Sequence, residues 1–252
     1  MRAGRVYLIG AGPGDPELLT LKAARVLGEC DVVLVDALVH RAVLGHCRRG
    51  VEVLDVGKRG GERSTAQARI ERLMIERAMR GATVGRVKGG DPGVFGRGGE
   101  ELAAVRAAGI RVEVVSGVTA GVGVPGALGI PLTHRDLTHG VTLVTGQTRN
   151  GVREPDWRAL ARTGTTLVVY MGLGRLPEIA TALVAGGLPA DTPAAAIERG
   201  TLPGERHVVT RLGQLAADVA ARGIASPALV VIGDVVRLGD DAVETPRGWR
   251  AA

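Results

Sequence analysis

Aromatic side chains are almost missing from this sequence: two Trp, two Tyr and a single Phe, Phe95, in 252 residues. Single-stranded nucleic acid is held by stacking its bases on aromatic rings, so the net charge of +6 has no such platforms beside it. Lysine is nearly as scarce, with only Lys22, Lys58 and Lys88 among many arginines. The cations are scattered rather than gathered into a basic run, which fits a surface open to a polyanionic small molecule; no nucleic-acid partner is expected. Two cysteines, Cys30 and Cys47, and five histidines, His40, His46, His134, His139 and His207, show neither a disulfide framework nor metal-ligand spacing, so no metal is assigned. No apolar run reaches the roughly 18–20 residues of a membrane helix. The sequence passes from Met-Arg-Ala-Gly-Arg straight into a strand pattern, which leaves no stretch for a signal peptide. The expectation is a cytoplasmic protein with no membrane partner.

What is present is an ample apolar fraction, 45%, in short β-branched runs that alternate with helical patterns. That alternation predicts βα units and an α/β fold. Strands are expected at 5–9, 31–35, 51–55, 83–87 and 111–115, with helices near 17–28, 39–47, 65–80 and 98–108. The glycine-rich stretch 116–136, its helical pattern interrupted by Pro125, reads as a junction. Beyond it, strands are expected at 141–145, 166–170, 193–198, 206–210 and 228–236, with some antiparallel pairing around the corner "GTLPGERHVV". Two α/β domains follow, 1–115 and 116–240, with 241–252 as a tail and the cleft between the domains as the expected active site.

The first strand ends in GAGPGDP. A dinucleotide loop wants Gly-x-Gly-x-x-Gly with amides aimed at a pyrophosphate. Gly10 and Gly12 fit that spacing, but Asp15 stands at its third position and Pro13 has no N–H to give. No Gly-Lys-Ser/Thr follows, which excludes a Walker loop. Asp15 before Pro16 is a good helix start. A ligand held here is not held by its phosphates. A second corner, "VGRVKGGDPGVFGRGGEEL" (84–102), echoes the first. It packs six glycines into positions 89–99, more than a turn needs, and adds the carboxylate of Asp91.

GAGPGDPELLTLKA, DALV (36–39), VGKR (56–59), KGGDPGVFGRGGEE (88–101), GIPLTHRD (129–136), VTGQ (144–147), VYMGL (169–173) and SPALVVIGDVV (226–236) occur in that order. Together they resemble the tetrapyrrole methylase family over residues 5–238. Gly93, Ser116 and the run GGERS (60–64) depart from the family's usual residues and bear on pocket shape. The resemblance implies two α/β domains of the tetrapyrrole methylase type with S-adenosylmethionine as methyl donor and S-adenosylhomocysteine as product. The implied activity is C-methylation of uroporphyrinogen III at two ring positions to give precorrin-2. A later corrin-ring methylation is the alternative, and a nucleotide-binding oxidoreductase a more distant one. It also implies a homodimer.

Carried over by motif, the expected cofactor contacts are Pro13, Gly89, Gly90, Asp91, Val94, Thr119, Ala120, Met171, Ala195 and Gly200. The resemblance makes Asp36 the proton acceptor and Lys58 the proton donor. Methyl transfer is an in-line displacement in which alignment does most of the work; afterwards a proton must leave, which one base and one acid accomplish. For the carboxylates of the tetrapyrrole, Arg59, Arg97 and Arg135 are the expected partners, with His134 beside them.

Overall fold

The computed structural model describes residues 4–57, 67–148 and 153–239. The chain divides into two compact units, Met1–Ala120 and Gly121–Ala252, each built round a five-stranded sheet.

The first unit runs β1 (Arg5–Gly10), α1 (Leu21–Leu27), β2 (Val32–Val35), β3 (Glu52–Asp55), α2 (Gln67–Met79), β4 (Thr83–Lys88), α3 (Gly98–Ala107) and β5 (Arg111–Val115). All its strand pairs are parallel, in the order β3-β2-β4-β1-β5. Alternate residues of β1 serve opposite faces. Tyr7 and Ile9 pack on Ala23, Val26 and Leu27 of α1, while Val6 and Leu8 pack on Ile70, Met74 and Ala78 of α2 and Val105 of α3. A parallel sheet covered on both sides needs continuous apolar strands, which is why these runs read so clearly. The segments after β1 and β2 cover one face, and those after β3 and β4 cover the other. Adjacent strands β1 and β4 therefore send their chains to opposite faces. A crevice at the strand carboxyl ends is the consequence.

Three local expectations are corrected. The helix expected at 17–28 is split: Pro16–Leu18 is a single 3-10 turn capped by Asp15, and α1 starts afresh with Thr20 as its cap. The stretch expected as a helix at 39–47 is a 3-10 segment, Arg41–His46. Pro125 does not interrupt its helix, α4 (Ala120–Ala127). It gives up one intrahelical bond, and its carbonyl accepts from Leu128 and Ile130, both at 3.0 Å, as the chain leaves.

The second unit carries β6 (Val141–Thr145), α5 (Trp157–Leu160), β7 (Thr166–Tyr170), α6 (Leu176–Ala185), β8 (Pro193–Glu198), β9 (Arg206–Arg211), α7 (Leu215–Ala221) and β10 (Ala228–Ile232). Its sheet is mixed, in the order β6-β7-β10-β8-β9. β8 and β9 form the antiparallel hairpin expected from sequence, and β10 runs antiparallel to both β7 and β8. The strand expected to continue to 236 stops at Ile232, because Gly233 turns at φ 148 into a 3-10 segment, Asp234–Leu238. Leu176, Ile179 and Leu183 of α6 and Leu215 and Val219 of α7 bury against Val169, Ala194, Ala196, Val208 and Val230.

Candidate active site

The loops that leave β1 and β4 are joined. Ala11 N–H donates to the Lys88 carbonyl at 2.8 Å, Gly90 N–H to the Gly12 carbonyl at 2.7 Å, and Gly12 N–H to the Gly90 carbonyl at 3.2 Å. Past the end of the parallel ladder the two loops thus meet in an antiparallel bridge between Gly12 and Gly90. Only glycine permits this: a β-carbon on Gly117 would stand 2.3 Å from the Gly90 oxygen, and one on Gly10 would stand 2.6 Å from that oxygen and from the Gly117 nitrogen. With the amides of Ala11 and Gly12 paired and none on Pro13, this stretch offers no row of donors to a phosphate.

Asp91 closes the same corner. Its Oδ1 accepts from Gly93 N–H at 2.7 Å and its Oδ2 from Gly117 N–H at 3.0 Å. Charge-assisted bonds of this kind are among the stronger ones. Beyond it, Phe95 (φ 49) and Arg97 (φ 58) sit in the left-handed region, a strain of about 1–3 kcal/mol each for residues other than glycine. The loop is held in that shape by Gly98 N–H donating to the Pro92 carbonyl at 3.1 Å. Phe95, 41% exposed on this loop, and Leu38, 61% exposed on the segment after β2 and close to Gly89, leave apolar surface open, where an organic ligand can bury it. Val94, Thr119 and Ala120 are half-buried. Arg97, expected to meet a substrate carboxylate, is paired bidentately with Glu100 at 3.0 and 2.6 Å.

Asp36 follows β2, which lies next to β4. Its Oδ1 accepts from Arg86 Nη2 at 2.7 Å, and its Oδ2 lies 3.7 Å from Lys88 Nζ. Arg86 and Lys88 point in turn at Glu101, a carboxylate with no exposed surface. Glu101 Oε1 accepts from Arg86 Nε at 3.0 Å, Lys88 Nζ at 3.3 Å and Gln67 Nε2 at 3.2 Å. Burial pushes the Lys88 amine below the usual lysine range and the Arg86 charge adds to this, while Glu101 and Asp36 pull it back. Lys58 and Arg59 lie outside the described residues.

Sequence reasoning missed Arg86, Lys88 and Glu101. The signal was there: two cations two residues apart occupy one face of a strand, in a strand that sits third of five. Charges there must be buried, and buried charges need partners. Glu101, in the first turn of the next helix, is that partner.

In the second unit, Met171 follows β7 in the left-handed region (φ 52), 49% exposed. Tyr170 beside it accepts a 2.5 Å bond from Gly121 N–H. Gly200, after β8, is buried, and a β-carbon there would lie 2.3 Å from Val124 Cγ1. Arg199 (φ 51) and Thr201 (φ 65) flank it in the left-handed region. Ala195 lies inside β8, paired on both sides and fully buried, on the sheet face opposite Ala194 and Ala196, which pack on the core with α6 and α7. His134 is half-exposed, and its Nδ1 accepts from Asp136 N–H at 3.3 Å; Arg135 is exposed. Among the described residues, no group of three His, Cys, Asp or Glu is placed to hold a metal, and no helix is long and apolar enough to cross a membrane.

Glycine loops at the carboxyl ends of a parallel sheet, closed to phosphates and bordered by a half-buried carboxylate, define an α/β enzyme for an organic ligand not held by phosphate. The chain belongs to the tetrapyrrole (corrin/porphyrin) methylases, whose family model matches residues 5–216. It is 52% identical over 244 residues to a uroporphyrinogen-III C-methyltransferase of Pseudomonas aeruginosa, covering 97% of this chain and 98% of that one. A siroheme synthase of Pseudomonas paraeruginosa is 49% identical over 95% of this chain, which spans 52% of its length. The solved uroporphyrin-III C-methyl transferase of Thermus thermophilus complexed with S-adenyl homocysteine superposes with a TM-score of 0.77 at 47% identity, over 93% of this chain and 100% of that one.

Proposed function

We propose that this chain transfers methyl groups from S-adenosylmethionine to two ring carbons of uroporphyrinogen III, giving precorrin-2. The observation that carries this reading is the joined loop pair after β1 and β4, with Asp36 at the end of the neighbouring strand. Adenosylmethionine fits such a corner: it has no phosphate, and the glycines at 89 and 90 let backbone come close while Pro13 supplies a rigid wall. When bound, it supplies an electrophilic methyl group to an electron-rich ring carbon. Gly89, Gly90, Val94, Thr119 and Ala120 grip it from the first unit, and Asp91 holds their loops in shape. The family resemblance adds Met171, Ala195 and Gly200 as further cofactor contacts.

Asp36 takes the proton that the methylated ring must lose, and Lys58 returns one during double-bond rearrangement. Arg135 and His134 meet substrate carboxylates, with Arg59 as a further partner; Arg97 contributes by exchanging Glu100 for a carboxylate of the substrate. The family resemblance supports a homodimer, and the two free thiols Cys30 and Cys47 agree with a reducing cytoplasm.

Incubation with uroporphyrinogen III and adenosylmethionine, followed by mass analysis, should show a product heavier by two methyl groups, formed equally well with excess NAD present. No mass gain on uroporphyrinogen III, with methylation of a contracted corrin instead, would overturn the substrate assignment.

A further inference from the structure

Asp36, Arg86, Lys88 and Glu101 form one charged cluster at the carboxyl end of β4. The side chains of Arg86, Lys88 and Glu101 are 2%, 4% and 0% exposed, against 29% for Asp36, so Asp36 is the member a substrate can reach. Arg86 is fixed from three sides: its Nε is held by Glu101, and its Nη1 donates to the Leu34 and Val87 carbonyls at 3.4 and 3.3 Å. Its Nη2 is thereby presented to Asp36 in one direction. We propose that Glu101 and Lys88 are positioning residues for the methylation, setting the charge against which Asp36 takes up and releases its proton. This rests on the reading of Asp36 as the base.

The charge count gives the reason. With Asp36 ionised, two cations face two carboxylates and the cluster is neutral. Once Asp36 carries a proton, a net positive charge remains where little solvent screens it, which favours passing the proton on and restoring the base. Neutralising Glu101 would set two cations against Asp36 alone, making it a weaker base. Neutralising Lys88 would leave one cation for two carboxylates, making Asp36 hold its proton longer. Among the described residues, the other charged groups on the adjoining segments are engaged elsewhere. Arg41, after β2, pairs with Asp55 on β3, His40 caps its own turn through Ala42 N–H, and Glu100 pairs with Arg97. Gln67 of α2 is neutral.

The test follows the Asp36 carboxyl directly, by NMR of protein labelled with ¹³C-aspartate, the signal assigned by its loss in Asp36→Asn. The pH profile of kcat is measured in parallel on the wild type, Glu101→Gln, Lys88→Met and the double variant. The titration midpoint should fall by about one pH unit or more in Glu101→Gln and rise by a similar amount in Lys88→Met. It should return near the wild-type value in the double variant, where Arg86 alone faces Asp36. Midpoints that stay in place, or move the same way in both single variants, overturn the proposal. Midpoints that move as expected without the acidic limb of kcat following them uphold the charge-setting role and remove Asp36 as the base. If Glu101→Gln does not fold, Lys88→Met compared with the double variant still reads the sign: a midpoint no lower in the double variant overturns the proposal.

Discussion

Asp36 and Asp91 both stand at the carboxyl edge of the first sheet, and their neighbours assign them different work. Asp91 has both oxygens engaged by backbone amides, whereas Asp36 faces two cations and keeps part of its surface open. Replacing Asp36 with Asn should leave adenosylmethionine affinity, read by calorimetry, nearly unchanged and lower turnover by about 10²–10⁴. Replacing Asp91 with Ala frees the Gly93 and Gly117 amides at once. It should cost about 1–3 kcal/mol of folding stability, seen as a lower melting temperature, and weaken cofactor binding because the loop shape is lost. Retained stability with lost binding would make Asp91 a direct ligand group instead. Cys30 is a third residue whose surroundings decide its behaviour. Fully buried, with its thiol 3.2 Å from the Val26 carbonyl, it is pushed up to about 12 by burial. Iodoacetamide at neutral pH should therefore leave Cys30 unmodified in the folded protein, which peptide mapping checks; the thiolate is the reactive form.

The start of α3 places a forbidden and a permitted substitution side by side. A β-carbon on Gly98 would lie 2.2 Å from the Pro92 carbonyl oxygen, whereas one on Gly99 would meet nothing within 4 Å. Gly98→Ala should thus destabilise by about 1–3 kcal/mol and disturb the loop before it. Gly99→Ala should stabilise by about 0.5–1 kcal/mol, the usual gain of alanine over glycine inside a helix. Thermal melts of the two variants distinguish them, and equal effects would refute this account of the turn. The central strands could be read from the sequence because each is an apolar run that a covered sheet demands; the edge strands β3 and β5, partly charged and largely open to solvent, were legible as short β-branched runs. The ends of elements were harder. At 17–28 the sequence shows one helical pattern, yet Leu19 turns extended between the 3-10 turn and α1 (ψ 132), a break that composition does not announce. In β4 the strand itself was legible, but the partnership of Arg86 and Lys88 with Glu101 depends on α3 folding back over one face. A linear pattern of residues carries that return only weakly. Asp36 was nameable through its motif; the cations that hold it showed only as a spacing along β4, without their partners.

Taken whole, the molecule carries 32 Lys and Arg against 26 Asp and Glu, and a tetrapyrrole substrate is strongly anionic. Attraction between them is long-ranged and screened by salt over roughly 10 Å at 0.1 M. Raising ionic strength should raise KM for uroporphyrinogen III while leaving KM for adenosylmethionine, which carries both signs of charge, little changed. Equal salt dependence for both would place the effect on the protein rather than on steering. The bridge between Gly12 and Gly90 has a consequence in time as well as in space. Each residue's N–H is the other's lock, so neither loop can open while the other stays shut. On the proposed reading, departure of a spent cofactor is then one event rather than two. Its signature is hydrogen exchange: the amides of Gly12 and Gly90, seventy-eight positions apart in the chain, should trade their protons for deuterons at a single shared rate.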